Sequence, residues 1–179
     1  MRALRCAPLV VMGDIAALVK RLKDIPWTWS AAGMECALAS LDSKPIDRVP
    51  GRSTYAIAAG PQLSVYDDCG RPELLEITMD AFLDSHWLSA EEYERKVDEY
   101  FEKYEEAVAA AERTLGPPRF NDGGGSTGFP EDQEAVWLAE WHFDNARFMI
   151  QQKHEDKELP FRLCLVVAPP AESGTVWRS

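Results

Sequence analysis

Three constellations in this chain have the residue types and spacing that chemistry requires. Gly123-x-Gly125-x-x-Gly128 carries the glycine spacing with which a strand-to-helix turn cradles a pyrophosphate. Overlapping it, Gly124-x-Ser126-x-Gly128 has the form of a nucleophile elbow, a strained turn that exposes a serine for acyl transfer. Glu140, His142 and Asp144 alternate along one strand face. Two carboxylates and an imidazole converging there could hold a metal or move a proton.

The surrounding residues decide against each reading. Both glycine motifs need a strand before them and a helix after them. These follow a helical pattern and Pro117-Pro118, and Phe129-Pro130 comes next, so a flexible loop over 119–130 is expected. For the trio, Arg147 falls opposite His142 across a hairpin, and a cross-strand polar network accounts for it. Trp137 and Trp141 share a face with Ala139 and are expected to pack into the core. The four cysteines, Cys6, Cys36, Cys69 and Cys164, lie far apart with no C-x-x-C pair, as in reduced thiols. No catalytic residue, metal site or cofactor is therefore assigned, and the expectation is that the chain is not an enzyme.

The elements that would position these residues follow from apolar spacing. A helix is expected from Asp14 to about Lys23 and a second from about Ser30 to Leu41, with Gly33 as its weak point. Three strands follow at 53–59, 62–67 and 73–79, separated by Gly60-Pro61 and by a turn at Cys69-Gly70. Leu75, Ile77 and Met79 share one face while Glu76 and Thr78 alternate outward, as in a sheet with one wet face. Ser89 and Glu92 form a capping box, and Leu88 with Tyr93 forms the matching staple. Tyr93, Val97, Tyr100, Tyr104, Val108, Ala111 and Leu115 then recur at helical spacing, and Gly116 ends the run. Strands at 134–143, 146–153 and 161–168 complete the chain. The Asp144-Asn145 turn sets Trp141 opposite Phe148 and Ala139 opposite Ile150. The expected fold is α+β, about six antiparallel strands in the order α-α-β-β-β-α-β-β-β, packed on one long helix over 89–115. Residues 12–168 read as one domain, residues 1–11 as a dispensable extension and 169–179 as a loose tail.

Charge is distributed unevenly. Between Asp67 and Arg113, fifteen Asp and Glu face five Lys and Arg, which holds nearly all of the chain's net charge of −11. On the long helix, Glu92–Lys96 and Glu99–Lys103 fall at i,i+4 on one flank. On the other flank Glu94, Asp98, Glu102 and Glu105 form a line with no cation among them, though Glu91 can reach Arg95. Asp67, Asp68, Glu73, Glu76, Asp80 and Asp84 are expected to extend this anionic surface. Such a surface suits a positive partner and disfavours direct contact with nucleic acid, whose phosphates would be repelled. No run approaches the roughly 20 apolar residues of a membrane span. The short apolar run after Arg2 and Arg5 lacks a signal-peptide cleavage site, so a cytoplasmic protein is expected.

Three stretches, PWTWSAAGMECALASLD, YEEAVAAAERTLGPP and RFMIQQKHEDKELPFRLCLVV, give the chain a diffuse resemblance to the small immunity proteins of bacterial polymorphic-toxin systems. The resemblance spans roughly residues 26–168 through aromatic and turn positions and carries no signature motif. It implies an inhibitor that occludes a cognate toxin domain, basic in character and suited to a nuclease. A secretion-type chaperone or adaptor shares the same size and acidity. A small hydrolase using Ser126 or the His142 trio is the third reading.

Overall fold

The period-two segments pair into a single antiparallel sheet of eight strands, two more than expected. The structure is a computed structural model that describes residues 12–58, 61–154 and 159–171. The expected extension at 1–11, Cys6, Gly60 and most of the tail lie outside these residues. The strands are β1 (Lys44–Val49), β2 (Arg52–Ala56), β3 (Gln62–Asp68), β4 (Arg71–Phe82), β5 (Phe120–Gly123), β6 (Trp137–His142), β7 (Arg147–Lys153) and β8 (Phe161–Ala168). Across the sheet they run β1-β2-β3-β4-β8-β7-β6-β5. The helices are α1 (Met12–Lys23), α2 (Ala31–Ser40) and α3 (Ala90–Leu115), with a short 3-10 turn at Ser85–Trp87. Asp14 lies inside α1 and not at its N-cap. No helix among the described residues is long and apolar enough to cross a membrane.

Both unforeseen strands are the sheet's outermost ones. β1 is exposed along its whole length, so it shows no apolar alternation to read. It pairs with β2 through a turn in which Gly51 takes φ +76. Its register shifts between Pro45 and Asp47, and Asp47 Oδ1 accepts the Arg48 N–H at 2.8 Å. β5 lies at the start of the segment expected to be a loop, and it pairs with β6 from Phe120↔Glu140 to Gly123↔Trp137. The inner register agrees with the turn chemistry. Trp141 faces Phe148, Ala139 faces Ile150 and His142 faces Arg147.

All three helices cover one face of the sheet. Leu75, Ile77 and Met79 of β4, Ala139 and Trp141 of β6, and Phe161, Leu163, Leu165 and Val167 of β8 meet Tyr100, Tyr104, Ala107, Val108 and Ala111 of α3 in one core. The capping box forms as the spacing demands, with Ser89 and Glu92 exchanging hydrogen bonds. Trp141 Nε1 donates to Gly116 O at 2.7 Å. Lys23 Nζ donates to Thr114 O at 2.9 Å, placing a cation on the carbonyl end of α3.

The opposite face is not simply wet, as the alternation implied. Leu138, Met149, Cys164, Val166 and Ala168 form a second, smaller core there, closed by Phe120, Phe129 and Ala135. The tail is also tied down at its start, because Arg147 Nε donates to Pro169 O at 3.0 Å.

Gly33 stands in α2 for a packing reason. A Cβ at that position would sit 2.0 Å from Thr28 Oγ1 and 2.2 Å from Thr28 O. The chain folds back there because Ser30 caps the helix, its hydroxyl accepting the Gly33 N–H at 3.1 Å. Gly33→Ala is expected to lower stability by about 1–3 kcal/mol despite alanine's better helix propensity. An unchanged urea midpoint would mean that Thr28 yields freely.

Candidate functional site

Glu140 and His142 sit within a chain of alternating charges on the face away from the helices. Arg147 Nη1 lies 3.2 Å from Glu140 Oε1, and its other nitrogen pairs with Asp132. His142 Nε2 lies 2.8 Å from Glu140 Oε2. Arg119 Nη1 lies 2.9 Å from His142 Nδ1. The always-protonated guanidinium makes Nδ1 the acceptor and leaves a hydrogen on Nε2, which stands near Glu140 without a hydrogen bond to it. Burial works against the charged Arg147, but Asp132 and Glu140 outweigh it and raise its pKa. The row runs Asp132–Arg147–Glu140–His142–Arg119, while Asp144 sits exposed in the turn. This is the cross-strand network expected from the sequence: Arg147 answers Asp132 and Glu140, and Arg119 meets the imidazole of His142.

Ser126 borders a shallow groove of about 590 Å³ that His154 also lines. The two do not form a nucleophile–base pair. The Ser126 hydroxyl serves Asp122, whose pKa is lowered first by the Gly123 N–H and then by that hydroxyl. His154 Nε2 meets Tyr93 Oη at 2.7 Å, and its ring stacks on Phe161. The segment after Gly123 is no free loop. Gly124 N donates to Val136 O at 2.9 Å, and a Cβ on Gly124 would meet Ala135 O at 2.8 Å. Cys164 is fully buried, which pushes its thiol up to about 12.

The carboxylates expected to form one anionic surface divide into three groups. Glu94, Asp98, Glu102 and Glu105 are all exposed along one flank of α3. Among the described residues none of the four forms an ion pair. The other flank is neutralised: Lys103 bridges Glu99 and Asp80 at 2.6 Å each, and Lys96 pairs with Glu99 in place of Glu92. Burial disfavours the charged Lys103, but Asp80 and Glu99 outweigh this and raise its pKa.

Glu76 and Asp80 thus leave the expected surface. Glu76 is only 4% exposed and lies 2.7 Å from Lys153 and 3.3 Å from Arg162. Its alternation was read correctly, but the cations of two neighbouring strands cover it. Asp67, Asp68 and Glu73 sit at the β3–β4 hairpin, where Asp67 Oδ1 accepts the Gly70 N–H at 2.9 Å. Asp84 is exposed just before α3.

A groove of about 260 Å³ adjoins the flank of Glu94, Asp98, Glu102 and Glu105, between α3 and the β5–β6 edge. Glu105 and Glu112 stand beside Phe101, Tyr104, Asn121 and Trp137. Phe101 and Trp137 meet with ring centroids 4.7 Å apart. Burial, then the charges of Asp122 and Glu105, raises the Tyr104 pKa, so its phenol stays protonated and donates to Asn121 Oδ1. Glu112 is the residue that sequence reasoning missed. It lies seven residues beyond Glu105, on the same helical flank, and that spacing could have found it. Carboxylates above an aromatic floor can receive a cationic side chain through charge and ring face together.

No protein-family model, curated protein or solved structure matches this chain.

Proposed function

We propose that this protein binds a cationic protein domain through the carboxylate flank of α3, acting as an immunity-type inhibitor of that domain. The observation that carries the reading is the asymmetry of one helix. On one flank Lys96 and Lys103 answer the acids, while Glu94, Asp98, Glu102 and Glu105 on the other are exposed and unanswered. Like charges at i,i+4 each cost an isolated helix roughly 0.2–0.5 kcal/mol. Stability of α3 therefore gives no reason to keep them together. A positive partner does, since complementary potentials speed encounter and exclude wrong partners. The aromatic floor beside Glu105 and Glu112 supplies the apolar contact that charge alone lacks. The inhibitory role rests on the resemblance of the three quoted stretches.

The test is association with a folded basic nuclease domain, taken from the adjacent reading frame if one is encoded there. Asp98→Lys combined with Glu102→Lys is expected to leave circular dichroism and the melting temperature unchanged. It should slow association at low salt by about tenfold or more and flatten the salt dependence. Equal association rates for the wild type and the double variant would remove this flank as the interface.

A further inference from the structure

We infer that the same docking surface is anchored at the start of α3, where an exposed apolar patch seats an apolar side chain of the cationic partner. This deepens the proposed function and rests on it. Trp87 is 78% exposed, Leu83 62% and Leu159 45%. Large apolar side chains left in water forgo the free energy of burial, and exposed apolar patches mark interaction sites.

The patch is built and not frayed. Ser85 is fully buried, and its Oγ donates to Leu159 O at 2.7 Å, joining the two chain segments that carry the patch. Trp87 N donates to Asp84 O and Leu88 N to Ser85 O, each at 3.2 Å. The His86 ring lies 4.7 Å from the Trp87 ring. Phe82 and Leu88, which flank the turn, pack against the core. The short turn between them leaves Leu83 and Trp87 facing outward.

Charge selects the occupant. From Leu83 to Glu94 the chain carries Asp84, Glu91, Glu92 and Glu94 and no Lys or Arg; Arg95 and Lys96 come next, and Lys96 lies over the Phe82 ring. A second copy would bring the same anionic stretch against itself, in a chain of net charge −11. A cationic protein surface compensates this stretch while its apolar residue covers the indole, a residue type enriched among interface anchors. Along the chain, Glu94, the first of the four unanswered carboxylates, follows in the second turn of α3.

Two synthetic peptides of equal positive charge test this against the full chain at low salt, one alternating Lys with Leu, the other Lys with Gly. The Lys–Leu peptide is expected to bind about tenfold tighter. Trp87→Ala or Leu83→Asn should erase that difference and leave Lys–Gly binding unchanged. Asp98→Lys with Glu102→Lys should weaken both peptides. A preference that survives both apolar substitutions overturns the anchor while leaving the acidic flank intact. Failure of both peptides to bind the wild type overturns both readings. A wild-type dimer that dissociates in Trp87→Ala assigns the patch to a second copy and also overturns the inference.

Discussion

Replacing Arg147 with alanine is expected to destabilise the fold by about 3–5 kcal/mol, the range for removing one partner of a buried ion pair. Arg147 and Glu140 are 7% and 5% exposed, so losing the guanidinium strands a carboxylate away from water. The same guanidinium also holds Asp132 and Pro169 O, and Asp132 belongs to the segment that closes the second core. Changing Arg147→Met together with Glu140→Gln should recover part of the loss, because no charge is then left uncompensated. The pH dependence follows from Asp132. Burial alone would raise its pKa, but the hydrogen bond and charge of Arg147 outweigh this and lower it. A depressed folded-state pKa stabilises the protein above the unfolded value of about 3.9. That contribution disappears as acid protonates the folded carboxyl. Urea midpoints measured from pH 6 downward should therefore fall more steeply below about pH 4 in the wild type than in Arg147→Ala. Parallel curves would show that Asp132 draws nothing from Arg147.

Phe161→Ala should be comparably damaging, at about 3–5 kcal/mol for a fully buried aromatic ring. Phe161 is fully buried, and its ring lies 3.6 Å from His154, 5.3 Å from Tyr100 and 5.6 Å from Tyr93 by centroid. Truncation would open a cavity where the N-terminal half of α3 meets β8. Native-state hydrogen exchange is expected to quicken first in the opening turns of α3. Loss spread evenly over the sheet would mean that the aromatic cluster does not hold the helix end.

Local signals were legible and nonlocal ones were not. Ser89 and Glu92 placed the start of α3 and Gly116 its end, because caps act within a turn of the residues that form them. Asp144-Asn145 set the β6–β7 register, since a two-residue hairpin leaves no slack. β1 was missed because a strand with one neighbour and no buried face carries no alternation. β5 was missed because its four residues sit among glycines. Alternation assigned Glu76 to the correct face, but Lys153 and Arg162 reach it from 77 and 86 residues away. Strand order decides that pairing, and nothing near Glu76 in the sequence encodes it. The exposed flank of α3 was readable from helical spacing. Trp87 was not, being a lone aromatic in a turn between elements.

The two outer strands limit how this molecule can be recognised. At one border Pro45 removes a donor, the register slips, and Asp47 occupies the N–H of Arg48. At the other, Asp122 does the same for Gly123 at 2.7 Å. Borders closed in this way resist the addition of a ninth strand from another polypeptide. Whatever this protein grips must then be held by side chains, so its selectivity can drift by single exchanges while the main chain stays as it is.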